Sequence, residues 1–163
     1  MAATRNSRRR HLETSAWGAL LQVHARLVPE LDGDLKRTTG LPLAWYDVLL
    51  ELAGASGTAL RMSDLGERVV LSRTRVSRLV AEMETHGLVQ RDANPDDRRS
   101  AFVTITDAGR RRYREAAPIY LRGIAERFAD RLDDEELRAI TAVLQKVLEP
   151  AAATDDRAGS RPT

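Results

Sequence analysis

The stretch SRTRVSRLVAEMETHGLVQRDANPDDRRSAFVTITDAG, residues 72–109, decides the fold, because its hydrophobic period changes half-way along. In the first half Val76, Leu79, Val80 and Met83 fall at i, i+3, i+4 and i+7, the spacing of one helix face, and Ser72 stands where an N-cap hydroxyl is wanted. On a 3.6-residue wheel these apolar side chains gather within about 60° of Val76, while Thr74, Arg75 and Arg78 take the far side. Ser77 flanks that polar face, and Arg73 projects nearer the buried side at the helix start. No acid interrupts Ser72 to Ala81. After Gly87 the period drops to two: Leu88 to Arg91 and Ala101 to Thr106 read as short strands flanking Asn94-Pro95-Asp96-Asp97. That is a β-hairpin, a wing, with Arg98 and Arg99 in its turn.

Upstream, Ser63 is placed to cap a short helix whose apolar side is Leu65, Val69 and Val70, so a helix, a tight turn and the 72–86 helix follow one another. Further back, Ala44 to Ala53 reads as an apolar helix closed by Gly54 to Gly57, and Leu12, Ala16, Leu20, Val23, Leu27, Leu31 and Leu35 form one stripe along a long helix ended by Gly40 and Pro42. Downstream, Thr106 caps a helix bearing Tyr113, Ala117, Tyr120, Leu121, Ile124, Phe128 and Leu132, which Pro118 is expected to kink or split. Asp133 and Glu136 form a capping box for a last helix with Leu137, Ile140, Val143, Leu144, Val147 and Leu148. Residues 1–11, with Arg5, Arg8, Arg9 and Arg10, and the tail 150–163 lack apolar periodicity and are expected to be disordered.

Composition narrows the class. The 163 residues are 42% hydrophobic, enough for one compact domain. No run approaches the roughly 18–20 apolar residues a membrane helix needs, and the N-terminal arginines do not lead into a signal-like apolar segment, so a cytoplasmic location without membrane contact is expected. The absence of cysteine excludes disulfides, thiolate metal sites and cysteine redox sensing. The net charge is only +2, but residues 61–114 carry +4 and the rest −2, which makes the middle of the chain the electropositive part.

The runs Gly87-Leu88-Val89-Gln90-Arg91, Asp97-Arg98-Arg99-Ser100 and Val103-Thr104-Ile105-Thr106-Asp107-Ala108-Gly109, at this spacing, resemble the wing signature of the multiple antibiotic resistance regulator (MarR) family. Leu43 to Leu52, Ser63-Asp64-Leu65 and Leu132-Asp133-Asp134-Glu135-Glu136-Leu137 resemble the same family's flanking helices, so the likeness covers roughly Leu12 to Leu148. It implies a mainly α fold with a small β-hairpin wing: a winged helix-turn-helix DNA-binding lobe over 41–109 and a helical dimerisation region built from 12–40 and 110–149. The implied partners are a second copy of the chain, double-stranded DNA with a pseudo-palindromic operator, and a small effector. The implied activity is sequence-specific regulation of transcription, more often repression than activation. The recognition helix 72–86 would enter the major groove and the wing 92–101 the minor groove. The DNA-binding set is then Ser72, Arg73, Thr74, Arg75, Ser77, Arg78, Asp97, Arg98 and Arg99, with Asp97 orienting Arg99. Physical chemistry supports this independently, since arginine forks bond guanine and phosphate, and a narrow minor groove concentrates negative potential.

The resemblance also implies a crevice for an aromatic or phenolic ligand between the dimer helices and the lobe, for which His24, Trp45, Tyr46, Asp47 and Tyr113 are the candidates. Trp45 and Tyr46 suit a buried core equally well, His24 a surface, and Asp47 a local cap or pair. Other classes find less support. His11, His24 and His86 are scattered, and no nucleophile elbow or phosphate loop appears, so neither an enzyme, a metal site nor a cofactor is expected. The remaining alternative is a winged-helix protein-interaction module without DNA sequence specificity, which an uncharged or acidic outer face would favour over Arg75 and Arg78.

Overall fold

The computed structural model describes residues 2–55, 59–69, 73–93 and 100–149, with only the backbone of residues 2–5 and 73. A first helix, α1 (Ala2–Thr39), is followed by α2 (Leu43–Gly54), β1 (Ala59–Arg61), α3 (Met62–Arg68), α4 (Arg73–Thr85), β2 (Val89–Ala93), β3 (Ala101–Ile105), α5 (Asp107–Arg127), a 3₁₀ turn (Ala129–Arg131) and α6 (Asp134–Leu148). The strands form an antiparallel sheet in the order β1-β3-β2, with Leu60 opposite Val103 and Val89 opposite Ile105. Strand β1, which three residues of sequence do not announce, adds the third member to the expected hairpin.

Three boundaries differ from expectation. Residues 2–11 are not disordered but open α1, which passes through Pro29 and places His11 on the same helix as His24. An exposed helix needs no apolar stripe, and this one is supported by the Arg9 to Glu13 ion pair at i,i+4 and by the helix propensity of its Ala and Arg residues. Ser63 is not a cap: it lies inside α3, whose N-cap position is Arg61, and its hydroxyl donates to Asp64. Pro118 does not split α5, which runs unbroken to Arg127, and the chain breaks instead at Phe128 (φ −127°, ψ −62°). Packing holds α5 across the proline, because Ala116 is fully buried and Gly123 lies against Leu31 of α1.

The core lies between α2, α3, α4 and the sheet and takes in the end of α1, with Leu35 of α1, Leu49, Leu65, Val76, Val80, Met83 and Val103 all at 0% exposure. Local rules fix its edges. Gly87 (φ +69°) reverses the chain after α4, with Gly87 N–H donating to Glu84 O (2.9 Å) and Leu88 N–H to Met83 O (3.0 Å), the paired bonds of a Schellman ending. The Thr106 hydroxyl accepts from Gly109 N–H (3.0 Å) and donates to Gly87 O (2.7 Å), which caps α5 and ties it to that reversal. A Cβ on Gly109 would stand 2.1 Å from Leu88 O, so this approach of α5 to the turn is open only to glycine. The Asp133–Glu136 capping box forms as expected.

Candidate nucleic-acid interface

Helix α4 separates its two faces sharply. Val76, Val80 and Met83 are completely buried and Leu79 partly so, while Thr74, Arg75, Ser77 and Arg78 are exposed. Among the described residues neither Arg75 nor Arg78 has an ion-pair partner, so both guanidiniums face solvent unneutralised. The backbone of Arg73 opens the helix; Ser72, Asp97, Arg98 and Arg99 lie outside the described residues. The strands leading to the wing turn, β2 and β3, are paired from Val89–Ile105 to Ala93–Ala101. Arg61 of β1 stacks over the Phe102 ring at 5.9 Å, adding a cation near the turn end of the hairpin.

One connection was not anticipated from sequence. Glu84, in the last turn of α4, accepts from the Arg91 backbone N–H (3.0 Å) and from Arg91 Nε (2.7 Å), with Arg91 Nη2 also at 2.5 Å. The hydrogen bond from the Arg91 side chain holds the Glu84 carboxyl below its ordinary pKa. The two residues are seven apart across a glycine reversal, a spacing that points to contact only once the reversal is assigned.

The five candidate ligand residues do not share one cavity. Trp45 lines a cleft of about 480 Å³ with Leu41, His86, Leu88, Arg111 and Arg112, where its ring meets His86 edge-on at 4.8 Å. Tyr46 is core, 2% exposed, stacked on Tyr113 (5.6 Å between ring centres) and tilted against Tyr120 (4.7 Å). Burial pushes its hydroxyl up to about 12. Tyr113 borders a separate hollow of about 240 Å³ with Ala53 and Arg110. Asp47 is half-buried, and desolvation, with Glu51 nearby, raises its carboxyl to about 6. His24 is exposed on α1 and lines none of these cavities. Sequence reasoning missed His86 and Arg111 as walls of the Trp45 cleft.

Outside the lobe, α1 and α6 present apolar side chains to solvent: Leu12, Trp17, Leu20, Leu21 and Val23 on one, Val143, Val147 (77% exposed) and Leu148 on the other. Between them lies a hollow of about 340 Å³ lined by Val23, Leu27, Phe128, Leu132 and Ile140. Among the described residues no three His, Asp or Glu side chains gather as metal ligands, and no helix is long and apolar enough to cross a membrane.

The model of the MarR family matches residues 39–100, the segment from the end of α1 to the start of β3. The crystal structure of Sco3205, a MarR family transcriptional regulator from Streptomyces coelicolor in complex with DNA, superposes with a TM-score of 0.78 at 30% identity, over 85% of this chain and 86% of that one. The chain belongs to the MarR family. AbsC, a second MarR-family regulator from Streptomyces coelicolor, matches at a TM-score of 0.76 and 31% identity, over 84% of this chain and 92% of its own. The transcriptional regulator HosA of Escherichia coli O111:H- is 30% identical over 103 residues, 63% of this chain and 74% of HosA. This MarR-family transcriptional regulator therefore has the winged-helix fold, and the arginine face lies on its helix α4.

Proposed function

We propose that this MarR-family regulator is a cytoplasmic homodimer that binds a pseudo-palindromic operator, with the 72–86 helix in the major groove and the 92–101 wing in the minor groove. The observation that carries the reading is the outward, unneutralised arginine pair of α4 backed by fully buried Val76, Val80 and Met83. A rigid helix whose free face holds Arg75 and Arg78 suits bidentate bonds to guanine, each worth about 1–3 kcal/mol of base discrimination. Thr74 and Ser77 are the hydroxyl contacts beside them, Ser72 and Arg73 contact phosphate at the helix start, and Arg98 and Arg99 reach the minor groove with Asp97 aiming Arg99.

The apolar faces of α1 and α6 support a dimerisation region over 12–40 and 110–149, apart from the lobe 41–109. A two-fold dimer would set its recognition helices about 34–36 Å apart, one turn of DNA. The regulator acts by binding rather than catalysis, as a repressor released by a small ligand. The Trp45–His86–Arg111 cleft supports the release step, because about 480 Å³ suits a small molecule and His86 follows the end of α4. The test is a binding titration over a range of salt concentrations. The logarithm of affinity should fall against that of salt with a slope of about −0.9 per phosphate neutralised, and a salt-insensitive affinity would contradict the reading.

A further inference from the structure

The helix and the hairpin that carry the DNA contacts diverge after Gly87, and the reversal alone fixes only the path of three residues. Strand β2 is the outer strand of the sheet, paired with β3 on one side only, so the backbone amides on its other edge lack a strand partner. One of these, Arg91 N–H, is taken by the Glu84 carboxylate, which also holds Arg91 Nε and Nη2. Glu84 thus occupies three donors of one residue in β2 while its own backbone belongs to α4. We propose that Glu84 is a positioning residue that sets the angle between the recognition helix and the wing, so that both reach their grooves in one docked geometry.

The electrostatics make this testable, because a carboxylate beside a DNA-binding surface repels phosphate, and deleting an inert one tightens binding. A carboxylate that aims the wing does the opposite. The inference rests on the DNA-binding reading, and the experiment separates the two. A duplex selected by the wild-type protein from random sequences is titrated with wild type, Glu84→Ala and Glu84→Gln, each with and without Arg99→Ala, and every variant is checked by thermal melting.

Glu84→Ala should weaken binding about tenfold, a coupling of the size contacting residues show. Glu84→Gln, which keeps an acceptor for the Arg91 amide, should lose only about two- to threefold, and it decides the matter if the alanine variant unfolds. In the Arg99→Ala background the Glu84 effect should shrink below about twofold, since a wing without its probe gains nothing from being aimed. Unchanged or tighter binding by Glu84→Gln, equal losses in both backgrounds, or an Arg99→Ala protein that binds like wild type would overturn the proposal. If the wild type selects no duplex, the DNA-binding reading fails instead. The strap is then judged by Arg91 amide exchange, which should quicken in Glu84→Gln and would contradict it if unchanged.

Discussion

The winged lobe and the terminal helices use apolar residues in opposite ways. From Leu35 to Ile105 the large hydrophobic side chains among the described residues are mostly enclosed, eight of them without measurable exposure, whereas α6 has no buried residue and the described side chains of α1 before Leu31 contribute none to the core. The core around the lobe is therefore closed within one chain, with Leu31 and Leu35 of α1 and Ala116 of α5 joining it, while the outer faces of α1 and α6 carry hydrophobic stripes that a single chain leaves wet. A face of that kind acquires its free energy only when something covers it, so the two regions should respond differently to the same insult.

The largest effect should come from a charge inside the lobe. Val80→Asp would bury an unpaired carboxylate against Val76 and Met83, and a cost of several kcal/mol is enough to unfold a marginally stable domain. Circular dichroism should show loss of cooperative melting, and a normal melt would mean the lobe core is not where stability resides. The same charge on the helices, as Leu20→Asp or Val147→Asp, should leave the lobe folded but weaken self-association by roughly a hundredfold or more. Sedimentation should show monomers, and an unchanged mass would remove these stripes from the dimer interface.

The smallest effect sharpens the border between the regions, where Asp47 of α2 is half-buried. Its carboxyl is raised from 3.8 to about 6 in the folded chain, so between those values the native state holds more protons than the unfolded one, and stability falls as pH rises through that window. Asp47→Asn should be more stable than wild type above pH 6, by on the order of 1 kcal/mol after allowing for solvent screening, and no different below about pH 4. Melting curves across pH 4 to 8 check this, and parallel curves would show that the carboxyl is not desolvated.

How far the sequence could be read follows from which features announce themselves locally. The junction from α4 to α5 was legible because Gly87, Thr106 and Gly109 act through neighbours close in the chain or through a reversal that the strand period reveals. Strand β1 was not, because three residues cannot display a period. The opening of α1 was misjudged because exposed helix made of arginine and alanine has no stripe to find, and pairs such as Arg9–Glu13 are visible only after the helix is assumed. The ligand candidates, chosen by residue type, dispersed to core, surface and cleft. What joins Trp45 to His86 is the packing of α2 against the end of α4 across 41 positions, which no short-range pattern encodes.

The most direct test of the account asks whether Arg75 and Arg78 read bases. Wild type, Arg75→Ala and Arg78→Ala would be titrated against the selected duplex and a scrambled duplex of equal length at fixed salt. The account predicts that each substitution costs about 1–3 kcal/mol on the selected duplex and much less on the scrambled one, so that the preference between them collapses. Equal losses on both duplexes would reduce the pair to phosphate ligands, and no loss on either would contradict the placement of this helix in the major groove.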